Sequence, residues 1–275
     1  MSVGQLIRVG LPFSNVVPTG TATNNITPGR TLDTLRLRLG GVLTKSMIEK
    51  LKLKANGKVI VEGTGAQLQA INSYRGLAAD PAFLDVAFTD YSLNNEFDRK
   101  VGAFDTSKGI SNITTEVQIK GATAPTLKPI LLESAQQNDA SGRPHQFSGL
   151  IGKVLSYPYN TATGGKLPVT VPFGPQSGSI IKRLHMFHTG KVTGATVKQD
   201  GVVIFEADKA ENEYMQKMHG RVPQGNVFTI DFCVDGDITK AMDTRQSKSL
   251  EWLFDLSAAD VGEILVEYID PLSNL

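Results

Sequence analysis

The feature that most constrains the fold is an internal repeat. The segment LKLKANGKVIVEGTG, residues 51–65, resembles ATVKQDGVVIFEADKA, residues 195–210. Gly57 and Gly201 are 144 positions apart, and the same offset relates Ile60 to Ile204 and Phe88 to Phe232. A register that holds over more than 70 residues of each copy indicates that the chain contains two versions of one unit.

Each copy is predicted to contain a β-hairpin followed by a short helix. Asn56-Gly57 and Asp200-Gly201 supply the positive φ angles of a tight two-residue turn between alternating apolar and polar residues. Glycines close both helices, at Gly76 and Gly220. Small and apolar residues recur there at helical spacing: Ala66, Ala70 and Tyr74 in the first copy, and Ala207, Ala210, Tyr214 and Met218 in the second.

The remaining patterns predict strands. In LDTLRLRLGG, residues 32–41, Leu35, Leu37 and Leu39 alternate with arginines, which is typical of a strand with one face in a core. Many short strands, Gly and Pro turns and one helix per unit predict an all-β fold of two tandem eight-stranded antiparallel jelly rolls, each with a short helix. We place the domains at residues 1–145 and 146–275, with a polar linker at 134–144 and connecting loops at 157–178.

The composition restricts the functional classes. With 40% hydrophobic and 20% charged residues the chain is expected to be globular, and its start lacks the pattern of a secretion signal. A net charge of +1 argues against a protein that binds nucleic acid mainly through a positive surface, and we expect no direct sequence-specific binding of nucleic acid. Residues 1–150 carry +4, from 16 Lys and Arg against 12 Asp and Glu, and residues 151–275 carry −3, from 12 against 15. This split is compatible with like chains that meet side by side.

A two-domain cupin enzyme would need several histidines around a metal. His145 lies in the linker region, His185 and His188 are three apart on one strand and so point to opposite faces, and His219 ends a helix. The single cysteine, Cys233, lies in the apolar run FTIDFCV, which predicts a small buried residue rather than a nucleophile.

A glycan-binding or glycan-cleaving double sandwich is the alternative that stays open. No pair of carboxylates stands out for hydrolysis, but Tyr157, Tyr159 and Phe173 could form a sugar-binding surface. The segment GTGAQ lacks the further residues of a phosphate loop and predicts a helix start instead. A coat protein, the third class, needs no catalytic residues, only stiff sandwiches with complementary sides.

The second copy also resembles a known family. QDGVVIFEADKAENEYM, NVFTIDFCVDGD and GEILVEYI occur in the order and spacing of the major capsid protein of corticoviruses, tailless phages with an internal membrane. The resemblance covers about 90 residues well. The first half of the chain matches more loosely, through the strand near Leu35, the LTKSMIEKLKL turn and the Asn56-Gly57 hairpin.

The resemblance implies a non-enzymatic major capsid protein of the double jelly-roll lineage. Three chains would form a trimer whose six jelly rolls make a pseudo-hexagonal capsomer of an icosahedral shell. The expected partners are other copies of the chain, neighbouring capsomers, a virion membrane or its proteins, and a vertex protein. The chain would be made in the host cytoplasm and reside in the virion. We expect residues 90–108 and 235–248 to face outward from the shell.

No cofactor is required for this role, although several capsids of this type use calcium at subunit contacts. Asp235 and Asp237, in VDGDI, place oxygen ligands close together and are the calcium candidates. A plain turn is the favoured interpretation of the same residues.

Overall fold

The computed structural model describes residues 6–107, 109–135 and 149–275. The predicted domain boundary at 145/146, most of the predicted linker and His145 lie outside the described residues. The strands before that gap are β1 Leu6–Val9, β2 Gly20–Ile26, β3 Thr31–Val42, β4 Ile48–Ala55, β5 Lys58–Gly63, β6 Phe83–Ala87, β7 Phe104–Asp105, β8 Ile113–Ile119 and β9 Thr123–Ser134.

The strands after the gap repeat this series. They are β10 Leu150–Thr161, β11 Gly165–Val169, β12 Ile180–Phe187, β13 Val192–Gln199, β14 Val202–Asp208, β15 Val227–Asp231, β16 Met242–Asp243, β17 Leu250–Leu256 and β18 Asp260–Pro271. The helices are α1 Gly65–Tyr74, α2 Glu96–Lys100 and α3 Lys209–Met218. Apart from the two-residue β7 and β16, each described half contains eight strands, as predicted.

The strand orders show that the two halves have the same topology. The first half pairs β1-β9-β3-β6 in one sheet and β5-β4-β8-β2 in another. The second half pairs β10-β18-β12-β15 and β14-β13-β17-β11, which is the same order with each strand replaced by its counterpart. Each half is therefore one antiparallel jelly roll, and we call β1–β9 the first roll and β10–β18 the second roll.

One sheet runs through both rolls. Its path is β15-β12-β18-β10-β5-β4-β8-β2, and β16 pairs β12 beside it. The crossing point is the parallel pair β10 and β5, where Val154 lies opposite Val61. Because a strand from each roll satisfies an edge of the other, the two rolls are joined by backbone hydrogen bonds as well as by side chains.

Each roll has its own apolar core, and the first core extends across the crossing. Leu35, Leu37 and Leu39 point into the first core, while Arg36 and Arg38 face away, which confirms the predicted alternation. Ile151 and Leu265 of the second roll are fully buried members of the first core. Trp252 and Phe254 lie at the centre of the second core.

The repeated local motifs form as predicted. Asn56 and Gly57 have φ of 49° and 82°, and Asp200 and Gly201 have φ of 51° and 82°, so both hairpins use the same turn. Thr64 and Asp208 each form a capping box at the start of α1 and α3. Gln67 and Glu211 are the reciprocal partners, which explains why GTGAQ and ADKAEN both begin helices.

One local prediction is wrong. Residues 157–178 are not wholly loops, because the last part of β10 and all of β11 lie within them. Cys233 is buried as predicted, and it lies in a turn after β15, which ends at Asp231. No helix in the part of the chain that the structure describes is long and apolar enough to cross a membrane.

Candidate functional site

The interface between the two rolls is the most elaborate polar site in the described residues. We call it the joint: β5, α1 and residues 88–104 of the first roll against β10, β12, β15 and β18 of the second. At its edge the backbone N–H of Gly152 donates to the carbonyl oxygen of Gly102, at 2.9 Å. Neither glycine has room for a bulky side chain, since a Cβ on Gly102 would lie 3.3 Å from the Cα of Gly152.

Arg183, on β12, is the centre of the joint and is fully buried. Its Nη1 lies 2.5 Å from Asp90 Oδ2 of the first roll and 3.2 Å from Glu267 Oε2 of β18. Its Nε lies 2.9 Å from Asp231 Oδ2 of β15. One guanidinium therefore contacts three buried carboxylates from three different elements.

Three further cations surround these carboxylates, and one of them, Arg221, places its Nε 3.6 Å from Asp231 Oδ2. Lys182 Nζ lies 3.0 Å from Asp90 Oδ2, and Arg75 Nη2, at the end of α1, lies 2.5 Å from Glu267 Oε2. Lys182 and Arg183 are adjacent in the chain, yet both reach Asp90. The register of β12 against β18 shifts between Ile181 and Arg183, and such a bulge removes the strict alternation of side-chain directions.

Two carboxylates of this cluster, Asp90 and Glu267, are held in the charged form. Burial alone would raise the pKa of Asp90, but Arg183, Lys182 and Arg75 outweigh it, so the pKa lies well below its usual range. Burial likewise opposes ionisation of Glu267, whose pKa the guanidinium groups of Arg75 and Arg183 hold well below the ordinary value. In the same way Asp231 and Asp90 overcome burial to raise the pKa of Arg183.

Further polar side chains surround the ions and fix their orientation. His185 Nε2 lies 2.8 Å from Glu267 Oε1, and its Nδ1 lies 2.9 Å from Thr229 Oγ1. The hydroxyl of Tyr74, on α1, donates to Asp231 Oδ2 at 3.0 Å. Burial raises the pKa of Tyr74, which keeps this hydroxyl protonated. The joint is thus a closed network that locks the two rolls in one arrangement.

The sequence predicted that residues 90–108 face outward from the shell, but part of this segment is buried. Asp90 and Leu93 are buried, and Asp90 belongs to the joint. Asn94 binds the second roll, because its backbone N–H donates to Gly236 O at 3.0 Å and its side chain donates to Asp235 O at 2.9 Å. The predicted outward segments 90–108 and 235–248 therefore contact each other across the rolls.

Sequence reasoning missed the joint almost entirely. Its members come from distant parts of the chain, as in the contact of Arg75 with Glu267, which are 192 residues apart. The one local signal was the strand IIKRLHMF, residues 180–187, in which Lys182, Arg183 and His185 interrupt an apolar run. Charged residues within a strand that is otherwise suited to a core indicate buried partners.

The calcium candidates lie together in a turn, as the favoured interpretation predicted. Asp235 pairs with the ammonium of Lys240 and accepts from the backbone N–H of Asp237. Asp237 accepts from the N–H and hydroxyl of Thr239, at 2.9 Å and 2.7 Å. Lys240 lowers the pKa of Asp235, and Thr239 lowers that of Asp237. In the described ranges no group of three or more His, Cys, Asp or Glu is arranged to hold a metal ion. Calcium binding by this pair stays a prediction.

Three other candidate residues, His188, Cys233 and Tyr159, are buried within the protein. His188 accepts from the N–H of Gly190 at 2.8 Å, and burial lowers its pKa. Burial raises the pKa of the Cys233 thiol to about 12, so the nucleophilic thiolate is disfavoured. Tyr159 is buried and donates to the carbonyl of Phe187 at 2.9 Å, so its ring is not free to stack on a sugar.

Solved structures with the same fold come from several icosahedral viruses. The major capsid protein P2 of bacteriophage PM2 has a TM-score of 0.85 at 19% identity, over 97% of both chains. The major capsid protein of Sulfolobus turreted icosahedral virus has a TM-score of 0.71 at 14% identity, over 97% of this chain and 96% of that one. The PBCV-1 virus capsid has a TM-score of 0.65 at 10% identity, over 97% and 93%. These similarities show that the double jelly roll is shared.

Family profiles match both halves of the sequence. The profile of the viral coat protein P2 N-terminal domain covers residues 8–137, and that of the C-terminal domain covers residues 151–272. No curated protein sequence matches. The resemblance to corticovirus capsid proteins is confirmed by these profiles: the chain belongs to the viral coat protein P2 family.

Proposed function

We propose that this protein is the major capsid protein of an icosahedral virus and resides in the shell of the virion. Its family membership supports this role, as does a fold shared along nearly the whole chain with capsid proteins. The observation that carries the proposal is that two rolls of identical strand order are joined rigidly side by side. Two similar units per chain allow a threefold oligomer to pack in a lattice as a sixfold one would.

The assembled unit is then a homotrimer with six rolls. A single chain supplies two of the six positions, and the joint fixes the angle between them. The cluster around Arg183 serves this purpose, because each buried charge is matched by an opposite charge from another element. We infer a structural rather than an enzymatic role for the chain.

The environment of the shell is inferred from the corticovirus resemblance. The capsomers would surround an internal membrane, contact membrane proteins and meet a vertex protein at the fivefold positions. The net charge of +1 gives no strong electrostatic attraction to the genome, and we expect no direct sequence-specific binding to it.

A structural calcium ion is the last part of the proposal. Asp235 and Asp237 would supply two ligands, and a neighbouring chain would supply the others. We expect millimolar calcium to raise the melting temperature of the assembled protein and EDTA to reverse the change. The double variant D235N/D237N should not respond. An equal response of this variant would contradict the site.

The experiment that tests the function is the solution mass of the purified protein by light scattering over a dilution series. A persistent species of three chains, followed by hexagonal particles in electron micrographs, is the expected result. A monomer at every concentration would contradict the proposal. A melting temperature that rises with a glycan would favour the alternative of a glycan-binding protein.

A further inference from the structure

The second roll exposes an apolar surface on β14 and α3. Val202, Val203 and Ile204 are consecutive exposed residues of β14, and Ile204 is 39% exposed. Helix α3 adds Tyr214, Met215 and Met218, of which Met218 is 68% exposed. The buried side of α3 is instead polar, because Asn212 and Gln216 both donate to the carbonyl of Thr229. A helix with its apolar side chains outward indicates that another surface covers it.

The first roll shows what covers the equivalent surface. At the offset of 144, Ile204 corresponds to Ile60 and Met218 to Tyr74, and both counterparts are at most 1% exposed. The second roll covers them at the joint: β10 lies along β5, and Tyr74 reaches Asp231. The second roll therefore carries the same docking surface as the first, without an occupant in the chain itself.

The matching occupant surface is also open, at the other end of the molecule. By strand order, the counterpart of β10 is β1, and both lie beside the last strand of their roll. β1 is a sheet edge with Ile7 75% and Val9 56% exposed. Each chain thus has one uncovered docking surface, on β14 and α3, and one exposed edge strand, β1, of the kind that covers the equivalent surface in the joint.

We propose that β14 and α3 of one chain bind β1 of a second copy of the chain, and that this contact repeats between chains the joint found within each chain. The proposal rests on the self-assembly proposed above and names the surfaces that carry it. Unlike surfaces that meet head to tail form a closed ring when the rotation between them closes. Three chains linked in this way would form a trimer of six rolls.

The strand registers predict which residues meet. Within the chain, one row of paired residues crosses the joint: Val61, Val154, Glu267, Arg183 and Asp231. The corresponding row between two chains begins with Phe205 of the second roll of one chain. It continues through the paired residues of the first roll of the neighbouring chain: Ile7, Leu132, Thr34 and Ala87. Ile7 should therefore lie opposite Phe205 in a parallel pair, and Val9 opposite Ala207 two residues on.

The chemistry of the two contacts differs in a way that suits their roles. Leu132, Thr34 and Ala87 replace the buried ions Glu267, Arg183 and Asp231, so this row is uncharged in the contact between chains where it is ionic in the joint. The charge split also favours this pairing, because residues 1–150 carry +4 and residues 151–275 carry −3. A second roll on the first roll of the next chain is attracted, whereas two first rolls repel.

Disulfide trapping tests the register. Neighbouring strands are about 4.8 Å apart, within the separation that a disulfide spans. Cys233, the natural cysteine, is buried and does not interfere. We expect I7C/F205C to form covalent species of up to three chains on mild oxidation, and V9C/A207C to do the same without loss of a large side chain.

Two controls define the specificity of trapping. I7C/V202C places the cysteines three residues out of register, about 10 Å apart, and should not cross-link. A mixture of the I7C and F205C single variants should stop at linked dimers, because each chain then carries one reactive surface. The melting temperature of each reduced variant shows whether it folds.

A charge variant gives an independent measurement by light scattering. Met218→Asp should raise the concentration at which trimers dissociate by about tenfold or more, whereas Val42→Asp, an exposed strand position outside these surfaces, should not. If the unmodified protein is trimeric but neither cysteine pair cross-links and Met218→Asp assembles normally, the docking surfaces are wrong while the capsid function stands. If the unmodified protein is monomeric at every concentration, both proposals fail.

Discussion

Arg183 is the residue whose replacement we expect to destabilise the protein most. Arg183→Met would leave Asp90, Asp231 and Glu267 without their shared buried cation. Removing one partner of a buried ion cluster costs about 3–5 kcal/mol, because the remaining charges stay desolvated. Denaturant unfolding measures the loss. Arg245→Met is the matched control, since Arg245 forms an exposed ion pair with Asp243 and should cost at most about 1 kcal/mol. Equal losses in the two variants would contradict the role of the joint.

Acid should weaken the protein through the same residues. The pKa values of Asp90 and Glu267 are lower in the folded chain than the ordinary values of 3.8 and 4.5. The unfolded chain therefore takes up protons first, and the stabilisation is complete above these ordinary values and is lost as the pH falls through the folded-state values. We expect the melting temperature to drop progressively below about pH 5.

The carboxylate variants separate this effect from general acid denaturation. Asp90→Asn should lower the melting temperature at pH 7 and make its dependence on acid shallower than in the unmodified protein. Glu96→Gln, at an exposed carboxylate, should change neither. A pH profile of Asp90→Asn that runs parallel to that of the unmodified protein would show that Asp90 does not carry the acid response.

Single residues were predictable from the sequence where a local rule governs them. Gly57 and Gly201 occupy positive-φ turn positions, as the Asn-Gly and Asp-Gly pairs predicted. Lys182 was not predictable, because a bulge places it on the same side as Arg183. Asp90 was predicted to begin an outward loop, but it is buried by partners more than 90 residues away in the sequence.

At the scale of elements, the loop before β7 packs so closely against β10 that we expect a side chain at Gly102 to be poorly tolerated. A Cβ on Gly102 would lie 3.0 Å from the carbonyl oxygen of Phe88 and 3.3 Å from the Cα of Gly152. Both neighbours are backbone, so Gly102→Val must push the rolls apart, at a cost of about 1–3 kcal/mol. Chemical denaturation measures this cost. Gly225→Val, at a glycine with open space around it, should cost much less. A tolerated Gly102→Val would mean that the joint adjusts.

Sequence patterns predicted which hairpins and helices form, but they did not predict which face of α3 is buried. The hairpins and helices follow the repeat, because turn residues and caps act within a few positions. The apolar residues of α3 recur at helical spacing, which normally predicts a face turned toward the core of the same roll. Tyr214 and Met218 are exposed instead. Periodicity identifies an apolar face but not what covers it.

At the scale of the whole molecule, the repeat predicted two rolls but not how they meet. Nothing in the sequence of either copy indicates that β5 and β10 become neighbours in one sheet. The joint forms from residues that differ between the copies, such as Arg183 against Thr34 and Glu267 against Leu132. Comparing the two copies therefore reveals their common strands and turns. It does not reveal the joint, because the joint is formed by residues that differ between the copies.

The continuity of the molecule predicts that both rolls unfold together. One sheet crosses from roll to roll, Ile151 and Leu265 complete the core of the first roll, and buried ions link the two. Neither roll can unfold without exposing core residues or unpaired charges in the other. We expect calorimetry of the dilute, unassembled protein to show a single transition whose calorimetric and van't Hoff enthalpies agree.

A variant with a weakened joint should unfold in two calorimetric transitions instead of one. In Arg183→Met the rolls lose the central cation of their ionic coupling but keep most of their separate cores, so the van't Hoff enthalpy should fall below the calorimetric value and two steps should appear. In Arg245→Met, where only a surface ion pair is lost, the single transition should persist. Two transitions in the unmodified protein would show that the rolls are independent domains. The angle between them would then be set by contacts between chains in the capsomer and not by the joint within each chain.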